Sequence, residues 1–254
     1  MEAKKRLTKI SSQSFEHEAD RKALEALKKT VGFDRLIQAL ASLTTDKIVR
    51  VVAQSEWLRI GPKQVPSLWN LYADVCETLD MKPPPLYLKT DPKMNAMTTG
   101  ASEAVIVVTS GLVDRLTDKE IQAVLGHELG HWMAGHSLYQ TVASHLSLIL
   151  EHVGQLAFGI GPLLKMGLVS TLLHWSRCAE LTADRAGLLA VQDVDTLLKV
   201  QMKLAYGSAG RFEGEVDLAA FLEQAKECAI EEDRWTAIYR TIDQWWPVQH
   251  AFDI

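Results

Sequence analysis

Val124-Leu125-Gly126-His127-Glu128-Leu129-Gly130-His131 is the stretch on which the reading of this chain turns. It contains the pattern H-E-x-x-H. Just upstream, Thr117-Asp118-Lys119-Glu120 has the form of a capping box, so a helix is expected to open there and run to about His136. Four residues is just over one helical turn, so His127 and His131 project from one face. Two imidazoles on adjacent turns can hold one Zn2+. Glu128 is rotated about 100° from His127. Its carboxylate therefore flanks the metal position and can take a proton from a water whose pKa the metal lowers to about 7. The pattern points to metal-dependent peptide hydrolysis. Gly126 and Gly130 leave room for another element to approach.

A catalytic zinc needs a third protein ligand and an open position. Downstream lies Ser176-Arg177-Cys178-Ala179-Glu180-Leu181-Thr182-Ala183-Asp184-Arg185. Glu180 and Asp184 are again one turn apart. Glu180 is the candidate third ligand. Asp184 suits a hydrogen bond from the outer nitrogen of a ligand histidine, His127 above all. The alternative is a solvated helix with charges at i,i+4. Against it, the surrounding residues Leu181, Ala183, Leu188 and Leu189 are apolar and the charges cluster on a short arc.

Outward from these motifs the chain reads as helical with a small sheet. Residues 14–43 carry helical spacing, with Ser14 as a cap and Gly32 as a break. Residues 46–60 suit helix or strand equally. A helix is expected over about 67–79, with Leu68, Leu71, Val75 and Leu79 on one face. Pro83-Pro84-Pro85 leads into a short strand, Leu86-Tyr87-Leu88, and Ala104 to Thr109 is a second, β-branched strand. Beyond His136 most of the chain reads as helix, interrupted at Gly159 to Gly161 and Gly207 to Gly214. The expected class is α+β, predominantly helical. Residues 1–65 form an N-terminal helical segment, either part of the same domain or a regulatory arm, and residues 66–254 form the main domain.

Composition excludes several classes. The chain has 254 residues, 27 Lys+Arg against 32 Asp+Glu and a net charge of −5, which disfavours nucleic acid as a partner. Hydrophobic residues at 47% and charged ones at 23% exclude a disordered chain. Cys76, Cys178 and Cys228 are far apart and form no C-x-x-C pair, so neither a disulfide framework nor a cysteine zinc site is expected. No apolar signal region follows the charged N-terminus, and the expected location is cytoplasmic. Residues 133–176 hold two formal charges, Glu151 and Lys165. Glycines, Pro162 and those charges interrupt the run short of the about 20 residues a span needs. A buried helical hairpin is therefore favoured over membrane association.

The pair H-E-L-G-H and S-R-x-x-E-x-x-A-D, together with Asn95-Ala96-x-x-Thr99-Gly100, resembles metallopeptidase family forty-eight over roughly residues 65–246. These are the HtpX-like and CAAX prenyl endopeptidase-like gluzincins, and the chain is similar to their minigluzincin-type members. The resemblance implies a zincin-type domain and a zinc-dependent endopeptidase acting on polypeptides, with one Zn2+ per chain. It maps His127, His131 and Glu180 onto the metal ligands, Glu128 onto the catalytic base and Asp184 onto the carboxylate behind a ligand histidine. It also implies that Asn95, Ala96 and Met97 lie on a sheet edge beside the active-site helix. Substrate would add there as an antiparallel strand.

One departure bears on activity. Many relatives carry a His-Pro near the C-terminus with an arginine six residues after the histidine. Here Arg240 matches the arginine, a candidate oxyanion stabiliser, but Arg234-Trp235 replaces His-Pro. Tyr206 and His250 are further candidate donors. Loss of one such donor costs about 10²–10³ in rate. Two alternatives follow: a weak or inactive zinc protein that binds polypeptides, and a zymogen whose own Trp245-Trp246 tail fills the cleft. Among the other histidines, His136 is expected as a helix-end residue on a different face from His131 rather than as a ligand. His145, His152 and His174 are expected in core or interface, and His17 at a solvated helix start.

Overall fold

The computed structural model of the protein describes residues 4–31, 33, 46–100, 103–137, 162–206 and 210–227. Its longer helices are α1 (Glu18–Lys28), α2 (Asp46–Glu56), α3 (Pro66–Thr78), α4 (Asp118–Met133), α5 (Pro162–Val191) and α6 (Val194–Tyr206), with a single turn of helix at Ser110–Val113. The strands are β1 (Leu58–Ile60), β2 (Leu86–Lys89), β3 (Ala96–Thr99) and β4 (Val105–Thr109). They form one sheet in the order β1-β2-β4-β3. The β2–β4 pair is parallel and the outer pairs are antiparallel. This is the α+β, mainly helical architecture expected.

The sheet is covered on both faces. Period-two alternation sends Leu86, Ile106 and Val108 towards Tyr72 and Val75 of α3 and Leu125 and Leu129 of α4. Tyr87, Val105 and Val107 point the other way, against Ala53, Trp57 and Met97. The central strand β4 is buried at every position, which is why it reads as an unbroken β-branched run. The ambiguous stretch 46–60 divides into a helix and a three-residue strand. Its β-branched residues build α2, and Leu58–Ile60 become strand by pairing with Leu86–Leu88.

The first helix departs from expectation. Ser14 sits in a 3₁₀ turn, Ser12–Ser14, and caps nothing. The cap of α1 is His17, whose Nδ1 accepts the Ala19 amide at 3.1 Å. His17 is half-buried rather than solvated, its own amide donating to Thr182 Oγ1 of α5 at 3.0 Å. Val31 lies past the helix and is 64% exposed. Leu36, Ile37 and Leu40 lie outside the described residues. Among the described residues no helix is long and apolar enough to cross a membrane. Residues 138–161, with His145, His152 and Glu151, lie outside them.

Helices α4 and α5 meet along a seam of small residues. A Cβ on Gly130 would fall 2.5 Å from the Ala186 methyl and 3.1 Å from the Ala183 Cα, and Gly126 is closed in the same way by Ala190. The seam brings the α5 carboxylates within reach of the α4 imidazoles. Gly130→Ala gains about 1 kcal/mol of helix propensity but overpacks a rigid contact, which typically costs about 1–3 kcal/mol. The expected result is a net loss of stability in urea denaturation, relieved by adding Ala186→Gly. A stabilised Gly130→Ala would mean that the seam is loose.

Candidate metal centre

The sequence sets the start and end of α4 locally. Thr117 Oγ1 accepts the Glu120 amide while Glu120 Oε2 accepts the Thr117 amide at 2.8 Å, the reciprocal pair of a capping box. The helix stops at Gly135, which adopts φ +73°. Its amide bonds the Trp132 carbonyl and the His136 amide bonds the His131 carbonyl, a Schellman turn. His136, expected at the helix end on a different face from His131, instead lies past the end of the helix. The turn folds His136 back beneath it, fully buried, with Nδ1 3.1 Å from His131 Nδ1. Gly135 was the legible signal.

Three donor atoms converge between α4 and α5. His127 Nε2 and His131 Nε2 are 3.0 Å apart, and Glu180 Oε2 lies 3.2 Å from the first and 3.5 Å from the second. Among the described residues these three form a group able to hold a metal ion. Ligands about 2.0–2.1 Å from a tetrahedral zinc lie roughly 3.3–3.4 Å from one another, so the triangle has the size such an ion requires. The donor chemistry agrees. Asp184 Oδ1 lies 2.8 Å from His127 Nδ1 and also accepts Gln201 Nε2 at 2.9 Å. A carboxylate acceptor holds one imidazole proton on Nδ1, so Nε2 is the nitrogen that can serve as a ligand once a cation displaces its proton.

Electrostatics point the same way. Burial would raise the Glu180 carboxyl, but His131 and His127 outweigh it and hold the group well below the usual carboxylate range. Burial would lower His127, but hydrogen bonds and attraction from Asp184 and Glu180 hold it well above the usual imidazole value. Each group is biased towards its charged form, the signature of a buried site that favours positive charge.

Glu128 borders the same cavity of about 280 Å³, as do Asn95 and Ala96. The Thr98 hydroxyl lies 2.7 Å from Glu128 Oε2 and 2.8 Å from its carbonyl oxygen, so β3 holds the carboxylate in place. Thr98 was not singled out from sequence; strand alternation beside Ala96 would have suggested it. Met97 points to the opposite sheet face, against Tyr87 and its neighbours. Leu112, Val124, Leu197 and Leu204 make the rest of the wall mainly apolar.

Other expectations meet different outcomes. Tyr206 is 52% exposed and stacks edge-on with Phe221, away from the cavity lining. His174 is exposed on α5 rather than buried, because that turn directs Trp175 inward instead. Arg240, His250, Trp245 and Trp246 lie outside the described residues. Cys76 and Cys178 are buried and lie outside any disulfide.

The family model described as Peptidase family M48 matches residues 62–241. The chain is 33% identical over 219 residues to "Plastoglobule-localized metallopeptidase 48, chloroplastic" of Arabidopsis thaliana, covering 85% of this chain and 62% of that protein. It is 34% identical over 98 residues to "Protease HtpX homolog" of Moorella thermoacetica, covering 38% and 33%. It is 29% identical over 169 residues to "Protease HtpX homolog 2" of Methanosarcina acetivorans, covering 58% and 57%. The chain thus spans less than two thirds of the length of these relatives. No solved structure gives a significant match.

Proposed function

The chain belongs to peptidase family M48, and from that premise we propose that it is a zinc-dependent endopeptidase of the gluzincin type, cutting polypeptide substrates. The observation that carries the reading is the donor triangle of His127, His131 and Glu180 beside Glu128, in a cavity that Asn95 and Ala96 also border. A bound zinc would supply a Lewis acid that acidifies water and polarises the scissile carbonyl. The remaining roles fall to the chain's own residues. Glu128 takes a proton from the attacking water and returns it to the leaving amine. Thr98 holds that carboxylate in position, and Asp184, braced by Gln201, fixes the His127 tautomer.

Substrate binding follows from strand geometry. The Asn95 carbonyl accepts the Thr109 amide, so Asn95 turns its main chain towards β4. By alternation Met97 does the same, while Ala96 turns its N–H and C=O to the side of β3 that no strand covers among the described residues. A peptide adding antiparallel to β3 pairs with Ala96 and crosses the metal position. Ala96→Pro removes that donor without breaking the β4 ladder, since proline is tolerated on a strand edge. The expected result is KM raised roughly two- to tenfold, the worth of one hydrogen bond, with little loss of folding stability. An unchanged KM would remove β3 from the substrate site.

A cytoplasmic location is part of the reading, supported by the two buried thiols; the Arabidopsis relative is named as plastoglobule-localized. Metal analysis paired with digestion of a broad peptide library tests the whole. One zinc per chain is expected, with cleavage that stops on chelation and returns with zinc. Zinc-loaded protein that retains peptides and cuts none would favour a binding role instead.

A further inference from the structure

We propose that Asp20, on α1, is a positioning residue for the metal centre, acting through His136 to place the proton on His131. This rests on the metal-site reading above. Asp20 precedes the matched family region, which begins at residue 62, yet it is fully buried in the body of the protein. Its carboxylate accepts Trp175 Nε1 at 3.0 Å and Thr182 Oγ1 at 2.6 Å, both from α5. His136 Nε2 lies 2.9 Å from Asp20 Oδ2. On its other side His136 Nδ1 lies 3.1 Å from His131 Nδ1.

With both imidazoles neutral, the chain of contacts has one consistent proton arrangement. Asp20 accepts on both oxygens, so the His136 proton sits on Nε2 and is donated to it. His136 Nδ1 is then a bare acceptor. His131 must put its own proton on Nδ1 to meet it, which leaves His131 Nε2 bare towards His127 and Glu180. Read from the metal end the answer is the same, because a cation on His131 Nε2 requires that nitrogen to be unprotonated. His127 reaches this state with one carboxylate, Asp184, while His131 reaches it through an imidazole and a carboxylate from another helix. The N-terminal helix therefore contributes to metal affinity without touching the metal.

The test compares zinc affinity of full-length variants, by competition with a chromophoric chelator, alongside the melting temperature of the metal-free proteins. His136→Phe keeps the ring but removes the acceptor. It should weaken zinc about 10- to 100-fold, the usual effect of losing the group behind a ligand histidine. Asp20→Asn should weaken it in the same direction. The double variant should lose no more than His136→Phe alone, since both lie on one route. His136→Gln offers a carbonyl to His131 and an amide to Asp20, and should recover most of the loss; a merely structural role would not predict that rescue. Folded His136→Phe with zinc affinity within twofold of the parent overturns the proposal, as do additive losses. Should the variants not fold, long-range ¹H–¹⁵N correlation of the imidazoles in the zinc-loaded parent decides. Protons on His131 Nδ1 and His136 Nε2 support the relay, and a proton on His136 Nδ1 overturns it. A parent that binds no zinc would instead sink the metal-site reading itself.

Discussion

Glu128→Gln should slow peptide cleavage by about 10²–10⁴-fold, the range general acid–base catalysis supplies, while the protein still carries one zinc. The substitution keeps size and shape. The Thr98 hydroxyl, 2.7 Å from Glu128 Oε2, can still donate to the glutamine carbonyl, so the side chain should stay where it is. Only the ability to hold a proton is lost. Zinc content should be unaffected, because Glu128 is not among the three converging donors. Initial rates on a peptide identified from the parent, with metal analysis of the same samples, make the comparison. Cleavage at the parent's rate would remove Glu128 from the mechanism.

Glu180→Ala should act on the metal rather than on the proton. Structural zinc sites with four ligands are worth about 10–16 kcal/mol, so one ligand accounts for roughly 3–4 kcal/mol, or about 10²–10³ in affinity. Loss of the carboxylate also removes the only anionic member of the donor triangle, leaving two imidazoles to bear the ion. Glu180→Gln keeps a neutral oxygen in the same place and should fall between alanine and the parent. Fold should persist in both, since Glu180 is a partly exposed surface of the cavity and not a packing residue. Chelator competition measures the series. Parent-like zinc affinity in Glu180→Ala would mean that the ion, if held, is held elsewhere. Together the two variants separate chemistry from binding: one keeps metal and loses turnover, the other loses both.

What could be read from the chain alone follows a physical division. H-E-x-x-H on a capped helix was legible because helical period and the Thr117–Glu120 pair are local. The partnership of Glu180 and Asp184 with it was legible because both stretches repeat one spacing. Asn95 and Ala96 were placed with the site through resemblance, but the separation of Met97 from them needed the pairing with β4, which sends alternate side chains to opposite faces. His136 was misjudged because helical angles were extended past Gly135, where the backbone leaves the helix. Asp20 carried no signal at all. A lone aspartate in a polar helix becomes a buried acceptor only when α1 packs on α5 and Trp175 and Thr182 close over it. Residues 46–60 stayed ambiguous because β-branched runs suit either state until a neighbouring strand offers a ladder.

The two rims of the sheet differ in hospitality. On the β1 side the strand is three residues long, Gln64 Nε2 already occupies the Arg59 carbonyl at 2.6 Å, and the chain turns back on itself between Gly61 and Gln64. A newcomer finds few vacant main-chain groups there, which guards against adventitious fibril-like stacking. Among the described residues no strand pairs with the outer side of β3, so the peptide addition proposed above is confined to that border.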